Sequence, residues 1–176
     1  MVTQGAFNTS ATGAATTGTR RGGARGYAVP LVVAVTGHRD LVAAEIPRLR
    51  ELVREFLTTL RDSYPGRIVA VMSPLAEGAD QLVAEEAVAL HMPLHAALPM
   101  SREMYAHDFR ADSSRARLQA LCDAATEIYE LPITPGNTAA SIAEPGPNRD
   151  RQYAQLGVFL CAHCHVLLAL WNGKDS

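Results

Sequence analysis

The chain has 176 residues, enough for one domain with a proper core and too few for two comfortable ones. Sixteen Lys and Arg against 18 Asp and Glu give a formal charge of -2, which excludes the strongly basic balance of a protein built around nucleic acid, although a local basic rim stays open. With 48% hydrophobic residues and no apolar run approaching the length of a bilayer span, a soluble globular domain is expected.

Residues 1–28 are rich in Gly, Ala, Thr and Arg and have almost nothing to bury, so they read as a disordered leader. Arg20-Arg21 ahead of an apolar segment resembles a twin-arginine export signal, but that segment runs straight into TGHRD without a small-residue cleavage site. The three cysteines, Cys122, Cys161 and Cys164, lack the spacing of a disulfide framework, and reduced thiols in a cytoplasm are expected.

The foldable part, 29–176, opens with LVVAV at 31–35, a continuous apolar run that suits a strand buried on both faces of a parallel sheet. It ends in the polar cluster Thr36-Gly37-His38-Arg39-Asp40. A helix is expected over 43–62, with Ile46, Leu49, Leu52, Val53, Phe56, Leu57 and Leu60 on one stripe. Tyr64-Pro65-Gly66 breaks it, and a second strand, IVAVM at 68–72, stops at Ser73-Pro74.

After Glu77-Gly78, the residues Ala79, Leu82, Val83, Ala87 and Leu90 return at helical spacing. A strand that turns over a glycine into a helix aims the helix's first N–H groups above the sheet, a place that suits a phosphate. LHAALP at 94–99 makes a third strand, followed by a polar cluster at 101–109 and a helix over 113–125. EIYEL at 127–131 is a short, polar strand suited to an edge, and the Pro- and Gly-rich segment 132–147 reads as a long mobile loop. A helix over 149–164 and a last apolar strand, VLLAL at 166–170, lead to Trp171-Asn172-Gly173.

This alternation predicts a Rossmann-like, doubly wound α/β fold: a mostly parallel sheet of about five strands with helices on both faces. Right-handed crossovers gather the carboxyl ends of the strands at one edge, where ligands of open α/β sheets bind.

Gly37-His38-Arg39, LAEGADQLVAEEA, Tyr105 with Asp108-Phe109, and 149–157 leading to VLLALWNG together resemble the Rossmann-like superfamily of the Lonely Guy phosphoribohydrolases and the DNA-processing protein Smf. The chain looks closest to its nucleotide-sensing SLOG branch, met in bacterial conflict systems. The similarity covers 31–173. Two departures stand out. His165 occupies a position before the last strand where the group commonly has aspartate, and the glycine-rich phosphate turn of the Lonely Guy enzymes, with its threonine and glutamate, does not follow VLLALWNG. The chain is therefore expected to be a truncated piece or a domain with an incomplete sheet.

The candidate ligand-binding residues are Gly37, His38, Arg39, Ala76, Glu77, Gly78, Asp80, Pro99, Tyr105, Asp108, Arg149, Trp171, Asn172 and Gly173. Arg39 can hold phosphate in a bidentate fork beside His38, and Gly78 permits close approach of backbone. Glu77 and Asp80 repel phosphate and are better matched to ribose hydroxyls. They are also the candidate catalytic groups, stabilising oxocarbenium charge if the chain hydrolyses an N-glycosidic bond. Tyr105 and Trp171 can stack on a base.

CAHCH at 161–165 has one Cys-x-x-Cys pair without a second and places His163 off the cysteine face, so neither metal nor cofactor is expected. Ser73 has no assignable base. The expected function is binding of a nucleotide or nucleotide-derived ligand, such as a nucleoside phosphate, ADP-ribose or an NAD-like molecule, by a sensor that reports to a separate or fused effector and can form a homodimer. The alternatives are a nucleoside monophosphate phosphoribohydrolase and a Smf-like single-stranded DNA binder, the latter disfavoured by the charge balance.

Overall fold

The computed structural model describes residues 29–171. The first apolar run forms β1 (Leu31–Gly37), two residues longer than its apolar core because Thr36 and Gly37 continue to pair. A 3-10 turn at Ala43–Glu45 precedes α1 (Ile46–Ser63). The α-helix starts later than its periodicity predicts because Pro47, which has no N–H, is accommodated only in the first turn. Of its apolar stripe, Val53 and Leu57 are buried, while Leu52 lies off the core face.

β2 (Val69–Ser73), α2 (Ala79–Ala89) and β3 (Leu94–Leu98) follow as expected. The polar cluster after β3 is not a plain turn. It contains a short helix, α3 (Arg102–Ala106), capped by the Ser101 hydroxyl, which accepts from the Met104 N–H at 3.4 Å. α4 (Asp112–Ala124), β4 (Glu127–Glu130), α5 (Pro147–His163) and β5 (Val166–Leu170) complete the described part. No helix among the described residues is long and apolar enough to cross a membrane.

The five strands form one all-parallel sheet in the order β4-β3-β2-β1-β5, a Rossmann-like α/β fold. The chain steps outward from β1 to β4 and then returns to the other side of β1. Alternation along the strands divides the core in two. Val33, Val35, Val71, Leu94 and Ala96 face α1, α2 and α4, whereas Val32, Ala34, Met72 and Ala97 face Leu156 and Leu160 of α5. Helices therefore lie on both faces, three against one.

β4 is an edge strand, as its polar composition predicts; β5 is the other edge, despite its uniformly apolar run, and Leu167 is 47% exposed. The segment 132–147, expected to be a mobile loop, is pinned instead. It contains a 3-10 turn at Ala140–Ile142, and Ile142 is buried in the core. Gln152 holds its start, accepting from the Thr134 N–H and donating to the carbonyls of Pro132 and Pro99. Asn137 donates to Thr134 Oγ1 and to the Asn148 carbonyl.

Candidate functional site

The crossovers leave β1 toward opposite faces, so the carboxyl ends of β1 and β5 mark the point where strand order reverses. Gly37 sits there because nothing larger fits: a Cβ would lie 2.5 Å from the Ala79 Cβ and 2.7 Å from the Leu170 carbonyl oxygen. The neighbouring turn is locked to it. Gly78 has φ +84°, and a Cβ on it would lie 2.2 Å from the Arg39 carbonyl oxygen and 2.5 Å from that of His38. The close approach that Gly78 permits is thus to the protein's own backbone.

The start of α2 is likewise occupied. The Ala79 N–H donates to the His38 carbonyl at 3.1 Å and the Gln81 N–H to the Ala76 carbonyl at 3.2 Å. Two of the N–H groups predicted to meet an anion are therefore spent inside the turn. Two residues outside the candidate set, Ser73 and Gln81, build this turn. Ser73 Oγ donates to the Asp80 carbonyl and accepts from the Leu75 N–H, while Gln81 Nε2 donates to the Leu75 carbonyl. They hold Leu75 at φ +60°, a conformation that a side-chain-bearing residue adopts only when its surroundings impose it. The signal was a buried Ser and Gln bracketing a predicted turn, and local pattern does not reveal that burial.

Between these turns and α5 lies a cleft of about 470 Å³, walled by Thr36, Gly37, Pro74 and Ala76 on the strand side and by Tyr153, Leu156, Gly157 and Leu160 of α5 on the other. Arg39, Asp80, Tyr105, Asp108 and Arg149 also line it. The Arg39 side chain is exposed and makes no hydrogen bond or ion pair among the described residues.

Asp80 is 6% exposed, and its Oδ1 has no hydrogen-bond partner. Burial pushes its carboxyl up to about 7, against the opposing pull of the Ala76 backbone hydrogen bond and the Arg39 charge. Tyr105 is fully buried, and its hydroxyl also lacks a partner. The Tyr105 ring packs edge-on against Phe109 at 5.1 Å and Tyr153 at 6.4 Å, and burial raises its phenol. Asp80 and Tyr105 contribute to one cleft the unmet hydrogen-bonding capacity that native interiors rarely leave unused.

Arg149 is neither a free phosphate ligand nor a solvated helix residue. It is 4% exposed, paired with Asp108 at 2.7 Å, and donates to the Ile142 carbonyl. Tyr153 donates its hydroxyl to the other Asp108 oxygen, and burial is the main cause of its raised phenol. Asp108, Arg149 and Tyr153 thus brace α5 and the 3-10 turn against the end of α3, forming one wall of the cleft.

The remaining candidates disperse. His38 and Arg39 line different pockets. His38 lines a small separate pocket of about 60 Å³ with Leu41, Leu49, Leu170 and Trp171, and its Nε2 has no partner. Trp171 is exposed beside it rather than over the main cleft. Pro99 contributes only a carbonyl to Gln152, behind the site. Glu77 lies in an outer chamber and Gly78 in a lateral one. Asn172 and Gly173 lie outside the described residues.

In the CAHCH run, His163 stacks on Phe159 at 4.1 Å, and His165 Nδ1 accepts from the Val32 N–H at 3.1 Å. His165 thus tethers the start of β5 to β1 by accepting a backbone N–H, as an aspartate there could. Among the described residues no three His, Cys, Asp or Glu side chains gather as metal ligands.

No protein-family profile matches the chain, and no curated protein matches it. Among solved structures it is similar to the DNA processing protein A of Streptococcus pneumoniae, with a TM-score of 0.45 and 15% identity. That likeness covers 80% of this chain and 41% of the other, so the chain spans less than half the length of the protein it matches.

Proposed function

We propose that the cleft binds a nucleotide or nucleotide-derived ligand, and that the domain acts as a sensor of it. One observation carries this reading: an unpaired arginine stands over the β1/β5 switch point, beside a buried carboxyl and a buried phenol that lack partners. Arg39 takes the phosphate. Asp80 and Tyr105 meet hydroxyl or ring nitrogen groups on the nucleoside, and the apolar wall of Leu156 and Leu160 accepts the flat base or the sugar.

Burial holds the Asp80 carboxyl near 7, so below that pH it donates a hydrogen bond to the ligand. Glu77, the other candidate catalytic group, lines the outer chamber and not the cleft.

Calorimetric titration with AMP and ADP is expected to show binding that Arg39→Ala weakens by about tenfold or more, the scale of a lost charge-assisted hydrogen bond. Gly157→Leu should abolish it, because a Cβ at Gly157 meets nothing within 4 Å and a larger side chain grows into the cleft. Unchanged affinity in both variants overturns the site. Release of free base from AMP overturns the sensor reading in favour of hydrolysis, and salt-sensitive binding of an oligonucleotide in place of AMP favours the DNA-binding alternative.

A further inference from the structure

The two edges of the sheet are guarded differently. β4 carries Glu127 and Glu130, whereas β5 is uniformly apolar and has neither a charge nor a proline, the devices that keep edge strands apart. β5 pairs with β1 in a register that sets Ala34 beside Leu167 and Thr36 beside Ala169, and the Leu170 carbonyl accepts from the His38 N–H. Alternation then turns the backbone groups of Val166, Leu168 and Leu170 toward β1 and those of Leu167 and Ala169 away from it. Leu167 and Ala169 are both exposed, and their outward N–H and C=O groups meet no partner among the described residues.

Exposed apolar side chains gather along the same edge. Leu167 stands on the α5 face, level with Ala34, and on the α1 side Val42 lines a small pocket with Leu49, Leu170 and Trp171. Leu52 lies one turn past Leu49 on the same flank of α1, since Arg50 and Arg54 on its other flank are tied to Glu85 and Glu86 of α2. Val42, Leu52, Leu167 and Trp171 are all exposed. The edge also changes character from end to end. His165 is exposed at its amino end, and Asp40 and Glu45 line the pocket beside Trp171 at its carboxyl end. Because His165 Nδ1 accepts from the Val32 N–H, the neutral ring carries its proton on Nε2 and is a donor there.

From this arrangement we infer that β5 is the interface to a second copy of this chain, paired antiparallel about a two-fold axis at Leu168 so that the two sheets become one. In that register Leu167 and Ala169 exchange backbone hydrogen bonds with Ala169 and Leu167 of the partner subunit, and every outward group of the strand is met. The antiparallel course brings the His165 donor at one end toward the Asp40 and Glu45 acceptors at the other. It also lays the two α1 helices side by side through Leu52, with opposed dipoles. The same operation on β4 sets Glu127 against Glu130 of the partner subunit, like charge on like. Pairing β5 with β4 of the next copy does not close and propagates, whereas the β5 pair closes on itself.

Sedimentation velocity on the full chain is expected to give a species of twice the 18.9 kDa chain mass. Ala169→Pro removes an outward donor from an edge strand, a place that tolerates proline, and should raise the dimer dissociation constant about tenfold or more with unchanged circular dichroism. In a Cys161→Ser, Cys164→Ser background, where the remaining Cys122 is buried, Leu168→Cys should form a covalent dimer under glutathione disulfide. Antiparallel pairs of that kind hold their side chains within disulfide reach. Ile128→Cys on β4 should not cross-link, although Ile128 is exposed. A monomer at every concentration overturns the second copy as occupant. A dimer that survives Ala169→Pro, or that cross-links through Ile128→Cys and not through Leu168→Cys, overturns β5 as its interface.

Discussion

The two faces of the sheet use the same alternating aliphatic strands and end differently. On the face covered by α1, α2 and α4, Val33, Leu57, Val71, Leu82 and Leu98 close into a continuous apolar core. On the other face one helix, α5, covers a smaller cluster and leaves the carboxyl end of the sheet open as a cleft. Three helices fill their side with hydrocarbon, whereas the uncovered end of the other side collects Arg39, Asp80 and Asp108. One face therefore carries the stability and the other the polar groups that stability alone would remove.

The largest expected effect concerns Asp80, on the open side. Its folded pKa of about 7 lies above the unfolded value of 3.8, so the native state binds more protons between these limits. This group's contribution to stability is therefore greatest below about pH 4, falls as pH rises, and is constant above about 7. The cost is on the order of 4 kcal/mol by linkage. Urea melts across this range should show the Asp80→Asn chain gaining on the parent as pH rises; parallel curves break the assignment. Anionic-ligand affinity should fall over the same upper range in the parent and stay flat in Asp80→Asn, since ionisation removes a donor and adds a repulsive charge.

Next in size is the closed face. Leu57 is fully buried, and Leu57→Ala should cost about 3 kcal/mol as a cavity-forming change. Ligand affinity of the folded fraction should be unaltered. A loss below about 1 kcal/mol would mean that the three-helix core collapses around the gap, and that the contrast between the faces is weaker than drawn.

The smallest effect sharpens the contrast at one atom. Gly157 is on α5 and faces the cleft, with open space where its Cβ would be. Gly157→Ala should stabilise the chain by about 0.5–1 kcal/mol through helix propensity. Thermal melting checks this, and a fall in Tm would show that the helix tolerates no side chain there.

Most of the fold was legible in advance because its signals are local. The uninterrupted run Leu31 to Val35 forms a central strand, helical spacing after Gly78 announces α2, and charged residues keep Glu127 to Glu130 at an edge. The misses were local signals too. Ser101 is a helix cap that marks α3, and Pro47 sets the start of α1. The order of the 132–147 segment comes from Gln152 and from the burial of Ile142, and composition records neither.

The site was less legible. Arg39, Asp80 and Tyr105 were named from residue type and position, and packing brings them to one cleft. Packing also sends His38 to a separate pocket, turns Gly78 against the His38 and Arg39 carbonyls, and commits Arg149 to Asp108.

By itself the sequence determined the order of elements, the parallel sheet and the edge at which the polar turns gather, because backbone periodicity and turn chemistry act between near neighbours. Only the tertiary structure decided which of the gathered side chains were left without partners. A partner is a matter of distance in space, and Asp108 and Arg149 meet through the packing of α3 against α5, which no local pattern contains.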